Sequence, residues 1–221
     1  MRRGYFITGT DTGVGKTLIA CGLLRGFARA GFSTVGMKPV AAGCSESAAG
    51  FLNEDVEALL RSSSVQVARA SINPYAFRLP VSPHLAAAAE GLEIETGPIL
   101  RSFEKLCAIA DTVIVEGVGG FRVPLGAHAD GADLAAAIGL PIVLVVGMRL
   151  GCLNHALLTV EAIERRGLQL SGWVANHIDP HMLQPESNVS ALLERLRYPL
   201  LGTIPYLLAP DASRLPLRLP D

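Results

Sequence analysis

Lysine is scarce in this sequence, and the scarcity makes each one informative. Three lysines, at positions 16, 38 and 105, stand against 16 arginines. Where arginine carries most of the positive charge, a lysine marks a place that suits a compact ammonium better than a broad guanidinium. An excess of either charge is also missing, since 19 basic and 20 acidic side chains leave a formal net charge of −1. That balance supplies no electrostatic reason for nucleic acid or an anionic membrane as partner. Long apolar runs are absent too. The most apolar stretch, 140–148, contains Pro141, and a bilayer span needs about 20 residues. Too few apolar residues precede Gly9 for a signal-peptide core, so a cytoplasmic protein is expected.

Paired cysteines are lacking. Cys21, Cys44, Cys107 and Cys152 are widely spaced, which fits reduced, mostly buried thiols rather than disulfides or metal ligands. His84, His128, His177 and His181 have no metal-ligand spacing, and His155 has no Ser or Cys partner that would make a triad. There is no internal repeat and no linker. The 221 residues, half of them hydrophobic, are expected to form one domain, 1–221, with an irregular tail from about 208.

What is present is a series of apolar runs separated by helical patterns. Strands are expected at 5–7, 34–37, 112–115, 142–146, 172–175 and 200–204. Helices are expected at 18–30, stopped by Gly31, at 54–61 behind Asn53, at 152–166 before Gly167, and at 189–196. The segment 73–92 reads as an irregular, then Ala-rich excursion near the site or at an interface. Continuous apolar strands alternating with helices predict an α/β fold, a mostly parallel sheet with helices on both faces. Ligands of such sheets sit beyond the carboxyl ends of the strands. The loop from Gly9, Lys38, Glu116 and Asn176 all fall at such ends.

Gly13-Val14-Gly15-Lys16-Thr17 follows a strand and opens a helix. Glycines there let backbone N–H groups curl round phosphate oxygens, and the helix start adds its free donors and positive dipole end. Lys16 would reach the β- and γ-phosphates, and the Thr17 hydroxyl would ligate Mg²⁺. This loop makes the expected fold P-loop NTPase-like. The usual spacing places glycine where Thr10 stands, and here Gly9 comes one step early. Glu116, at a strand exit before Gly117-Val118-Gly119-Gly120, suits a metal-facing acid. Asp55 reads equally as a helix-dipole partner. Lys38, before Pro39, could neutralise a transferring phosphoryl group or orient an acidic substrate. The stretch 150–155 could bind a carboxylate at a helix start, or be an ordinary cap.

Together these segments resemble dethiobiotin synthetases of biotin biosynthesis. The matching stretches are 5–12 with 15–17, Lys38-Pro39-Val40-Ala41, Asn73-Pro74-Tyr75, Pro83-His84, 115–120, 145–147, 150–156, 172–176 and 201–205. The resemblance runs in register over nearly the whole chain. It implies an ATP-dependent cyclo-ligase acting on 7,8-diaminononanoate and CO₂ through a carbamate and its phosphorylated form, with ADP and phosphate released. It implies that Gly13, Val14, Gly15, Lys16, Thr17 and Leu18 hold the phosphates. Thr17, Asp55 and Glu116 would hold Mg²⁺, with Gly117, Val118 and Gly119 beside the nucleotide. Lys38 would stabilise the carbamate, and Thr12 would lie near the reacting end. Asn176, His177, Pro205, Tyr206 and Leu207 would surround the base. Gly151, Cys152, Leu153 and Asn154 would take the substrate carboxylate across a homodimer interface.

Three positions depart from the pattern. Ala42 stands where the family commonly has a substrate-contacting Ser, His177 where an acid is frequent, and Gly13 where some members carry Glu. Other readings fit less well. An amidotransferase-like ligase needs a glutaminase domain, for which 221 residues leave no room. A partitioning ATPase typically carries a second lysine early in the loop, and Thr10 to Val14 holds none. The guanine-reading pattern suggested by Asn176 and Asp179 has His177 where lysine belongs.

Overall fold

The structure is a computed structural model, and it describes residues 3–47 and 50–220. In chain order the elements are β1 (Arg3–Gly9), α1 (Lys16–Arg29), β2 (Thr34–Met37), β3 (Val40–Ala41), β4 (Ser45–Ser47), β5 (Gly50–Leu52) and α2 (Glu54–Ser62). Then come α3 (Arg69–Ile72), β6 (Tyr75–Ala76), α4 (Pro83–Ala89), α5 (Thr96–Ile109), β7 (Thr112–Glu116) and α6 (Gly131–Ile138). The last are β8 (Ile142–Met148), α7 (Cys152–Arg165), β9 (Leu170–His177), α8 (Pro185–Arg195), β10 (Leu200–Ile204) and a 3₁₀ turn at Ala212–Arg214.

The apolar runs do what their lack of alternation demands. β2, β7 and β8 are buried at every residue, so neither face of these strands meets water. Six strands pair side by side in the order β10-β9-β8-β1-β7-β2, all parallel. The chain leaves β1 for β2 on one side and later crosses from β7 to β8 on the other. The carboxyl ends of β1, β7 and β8 therefore open on a crevice at a change of direction. α1 packs on β1, β2 and β7, α5 also packs on β7, and α7 packs on β8 and β9. Trp173, Phe6, Phe27 and Phe77 are the largest side chains sealed in the core.

Local chemistry sets the helix ends. The Asn53 side chain accepts from the N–H groups of Asp55 (3.1 Å) and Val56 (3.4 Å), capping α2 as the sequence suggests. α8 begins four residues earlier than the periodicity shows, because Pro185 occupies its first turn, where a missing N–H is harmless. The pattern marks no element over 96–109 or 131–138, and both are helices. In α5 the Gly97-Pro98 pair reads as a break but lies within the first turn, where proline is tolerated. The excursion 73–92 is more ordered than expected: β6 pairs with β3, and α4 follows.

The tail is irregular apart from its 3₁₀ turn, yet it is held down. Arg218 N–H donates to the Leu201 carbonyl (2.8 Å), and the Tyr5 hydroxyl to the Pro220 carbonyl (3.1 Å). Leu215 and Leu217 lie so close to Gly22 of α1 that a Cβ there would stand 2.9 and 2.8 Å from them. Gly22→Leu should therefore destabilise the chain by about 1–3 kcal/mol through overpacking. Removing residues 212–221 should abolish most of that penalty. Urea denaturation of both single changes and their combination measures it, and equal penalties with and without the tail would contradict the packing.

Candidate functional site

The loop between β1 and α1 has its shape written into four contacts. Gly13 (φ 74°) and Gly15 (φ 90°) adopt left-handed backbone that side chains resist. A Cβ on Gly9 would lie 2.6 Å from a Val14 methyl, so the early glycine makes room for the loop's own apolar anchor. Thr10 replaces the usual glycine for a reason. Its hydroxyl accepts from Gly147 N–H (3.3 Å) and its own N–H donates to the Val145 carbonyl (3.0 Å), tying the loop to β8. The Asn176 amide donates to the Val14 carbonyl (2.8 Å), bracing the loop from β9.

Asp11 is the junction of the arm. Its carboxylate pairs with Arg149 and accepts from Thr12 N–H (2.7 Å), and its carbonyl accepts from Lys16 Nζ (2.9 Å). Lys16 is thus folded back on the loop that precedes it.

Beyond the loop, four side chains meet. Lys38 leaves the end of β2 and donates to Glu116 Oε1 (2.6 Å) and Asp55 Oδ2 (2.9 Å). The Thr17 hydroxyl donates to the same Glu116 oxygen (2.8 Å). Glu116 is wholly enclosed, and its other oxygen, Oε2, has no hydrogen-bond partner. Sheet register dictates the meeting: Ile7 pairs with Glu116 and Met37 with Val115, so Lys38 emerges beside Glu116. Two carboxylates and a hydroxyl are hard oxygen donors of the kind Mg²⁺ takes, and the orphaned Oε2 fits a cation as its missing partner. Among the described residues no group of three or more His, Cys, Asp or Glu forms a metal cage. A cation here would complete its shell with nucleotide oxygens and water.

These groups line one cleft of about 690 Å³. Thr12, Gly13, Gly15, Lys16, Thr17, Leu18, Lys38, Ala42, Asp55, Glu116, Val118 and Gly119 all face it. Val14 lies buried beneath the loop, and Gly117 donates to the Ile7 carbonyl under the floor. Asn176 and His177 are behind the loop, and Pro205, Tyr206 and Leu207 are exposed past β10; none lines this cleft. Gly151, Cys152, Leu153 and Asn154 do not reach it within one chain either. Pro80 to Pro83, from the excursion, form part of the wall. Two contributors carry little signal in the sequence. Asn53, noticed only as a cap, also lines the cleft and donates to the Ala42 carbonyl (3.3 Å). Arg149 carries no local signal, because its partner Asp11 is distant in sequence.

The electrostatics follow from burial and this clustering. Burial presses Lys38 to lose its proton, but Glu116 and Asp55 outweigh it, and its pKa ends above the ordinary lysine value. Burial raises Glu116, and Lys38 offsets that only in part. At Asp55 burial also pulls upward, but the Lys38 ammonium and the Thr17 hydroxyl outweigh it, leaving the carboxyl below its usual range. Burial, helped by the Lys38 charge, lowers Lys16 to about 8.

A phosphate beside Lys16 favours its ammonium form. Nucleotide binding should therefore draw in a proton above pH 8, and affinity should fall by up to about tenfold per pH unit there. Folding responds with the opposite sign. Between about 8 and 10.5 the unfolded chain holds more protons at this lysine than the folded one, so the free protein gains stability across that window. Calorimetric titration of ADP in buffers of different ionisation enthalpy, at about pH 7 and about pH 9, tests the linkage. Binding without proton uptake at the higher pH would refute it.

Comparison with known proteins gives this geometry a lineage. A family model described as an AAA domain matches residues 3–213. The ATP-dependent dethiobiotin synthetase BioD of Aromatoleum aromaticum is 54% identical over 220 residues, covering 99% of this chain and 98% of that one. The protein of the same name from Nitrosospira multiformis is 53% identical over 206 residues, covering 93% and 89%. Among solved structures, the septum site-determining protein MinD of Pyrococcus horikoshii, complexed with Mg-ADP, aligns with a TM-score of 0.56 at 16% identity, covering 93% of this chain and 82% of that one. MinD of Aquifex aeolicus gives 0.55 at 17% identity, covering 93% and 83%. At such identities these two show the fold alone, a P-loop NTPase-like α/β sheet. The near-complete match at more than half identity shows more: the chain belongs to the ATP-dependent dethiobiotin synthetase family, and it is a ligase of biotin biosynthesis.

Proposed function

We propose that this chain closes the ureido ring of dethiobiotin from 7,8-diaminononanoate and CO₂, using ATP and Mg²⁺ and releasing ADP and phosphate. The observation that carries the reading is the gathering of Lys16, Thr17, Lys38, Asp55 and Glu116 around one cleft with an apolar wall. The reaction needs little covalent help from protein. One amine adds to CO₂ and loses a proton, giving a carbamate. A carbamate oxygen attacks the γ-phosphorus and ADP leaves. The second amine then attacks the carbonyl carbon and loses a proton, and the C–O bond to phosphate breaks, releasing phosphate as the ring closes. Each step asks for positioning and for neutralised anionic charge.

The residues divide that work. Loop N–H groups and the start of α1 cradle the triphosphate. Lys16 leaves the Asp11 carbonyl for the phosphates. Mg²⁺, held by Thr17, Asp55 and Glu116, would screen the phosphate charge when bound. Lys38 faces the carbamate and its phosphorylated form, where negative charge develops. Thr12 stands at the reacting end. Ala41, Ala42, Pro80, Val81 and Pro83 keep the reactive anhydride from water and seat the aliphatic chain. Ala42 brings no hydroxyl to the substrate, and the Asn53 amide, which donates to the Ala42 carbonyl, is a polar group beside it in the cleft.

The substrate's far carboxylate is assigned to Gly151–Asn154 of a second copy, in a homodimer. Two features support this. No side chain caps α7; the Cys152 N–H turns back to the Arg149 carbonyl (3.0 Å), which leaves those of Leu153 and Asn154 to a ligand, and Leu150 beside the helix is 94% exposed. The base is assigned to Asn176, His177 and Pro205–Leu207. A cytoplasmic setting suits the reaction, and no helix among the described residues is long and apolar enough to cross a membrane.

Phosphate release should require diamine, bicarbonate and Mg-ATP together, and ATP turnover indifferent to diamine and bicarbonate would sink the proposal. Lys16→Ala and Glu116→Ala should abolish turnover. Lys38→Ala should lower kcat by about 10²–10³-fold with nucleotide affinity retained. An unchanged kcat would remove the role given to Lys38.

A further inference from the structure

We propose that Lys38 is the resident cation of the metal site. Its ammonium fills the place between Asp55 and Glu116 that a divalent cation takes, so metal binding and the release of Lys38 toward the acceptor are a single exchange. The inference rests on the assignment of Asp55 and Glu116 as metal-facing acids and says what they do before a metal arrives.

Three observations carry it. The two carboxylates assigned to the metal already converge on a positive centre: Lys38 Nζ is 2.6 Å from Glu116 Oε1 and 2.9 Å from Asp55 Oδ2. Both Lys38 and Glu116 are almost fully enclosed, so neither charge has water to fall back on. An enclosed carboxylate stripped of its partner is strongly unfavourable, which is why Lys38 is drawn in. Finally, the charges match. Asp55 and Glu116 are paired with Lys38, and Lys16 stands close enough to feel both charges, while Asp11 is paired with Arg149. A divalent cation on the same two carboxylates adds two charges beside an ammonium, and like charges at such separation repel. The cation therefore displaces the ammonium, and the freed lysine turns to the nearest anion the reaction brings, the carbamate. The lysine reaches its acceptor only once the metal is seated.

The exchange makes a counter-intuitive prediction: deleting the lysine should improve metal binding. Mn²⁺, standing in for Mg²⁺, is titrated into nucleotide-free protein, and the free ion is followed by its electron paramagnetic resonance signal. Lys38→Met should bind Mn²⁺ at least about tenfold more tightly than the wild type, because one resident charge no longer competes. Its melting temperature, lowered without metal, should recover with Mn²⁺ far more than that of the wild type. In Lys38→Ala, added methylammonium should weaken Mn²⁺ binding, with no such effect on the wild type.

Equal or weaker Mn²⁺ binding by a folded Lys38→Met, or methylammonium without effect in Lys38→Ala, would overturn the exchange. Equal binding would mean that Lys38 keeps Oε1 while the metal sits on the free Oε2. Glu116→Gln separates the two levels of the argument. If it leaves wild-type Mn²⁺ binding intact, the metal assignment falls and the exchange with it. If it abolishes binding while Lys38→Met changes nothing, only the exchange falls.

Discussion

A carboxylate sealed at the end of a strand is the constraint around which the site is arranged. Glu116 closes β7 with no exposure to solvent. A charge in that position requires partners from every neighbouring element. They arrive because β7 lies between β1 and β2 in the sheet. β2 delivers Lys38, the helix after β1 delivers Thr17, and the first turn of α2 delivers Asp55. Order and register of the strands thus fix the geometry of the cluster, and the phosphate loop sits beside it because β1 is the adjoining strand.

The loop is held by contacts that reach far along the chain. Thr10 is fastened to β8, the Asn176 amide of β9 supports the Val14 carbonyl, and Asp11 is clasped by Arg149. A glycine at position 10 would have freed the turn; a threonine there anchors it to the sheet. Its donors are therefore set in place before any phosphate arrives, the condition under which dipoles stabilise charge without reorganising.

This division explains which features could be read from the sequence. The strands were legible because full burial forces continuous apolar runs, and the residues at their carboxyl ends became candidates by position alone. Lys38, Glu116 and Asn176 became candidates that way, and Thr17 through the Gly-Lys-Thr loop; the structure brings Thr17, Lys38 and Glu116 together. Asp55 was not settled by spacing, since a first-turn acid serves a helix dipole equally well; its ion pair with Lys38 is a tertiary fact. α5 was hidden by Gly97-Pro98, which looks like a break, and α6 by an Ala-rich segment with little period. The Asp11–Arg149 and Val14–Asn176 contacts join residues 138 and 162 positions apart, and nothing local announces either.

The scarcity of lysine also acquires a cause. Two of the three lysines are buried in the same cleft, while Lys105 lies exposed on α5. Arginine can carry surface charge as well as lysine does, so a chain that uses arginine outside loses nothing. Inside the cleft the two differ. A guanidinium presents five donors in a rigid plane, all of which would need partners in an enclosed space. An ammonium is compact and can change partners by rotating a flexible stem. Lys16 rests on the Asp11 carbonyl and Lys38 on two carboxylates, and each rest position differs from its assigned working position. Each lysine satisfies the free site and must be exchangeable for what binds there.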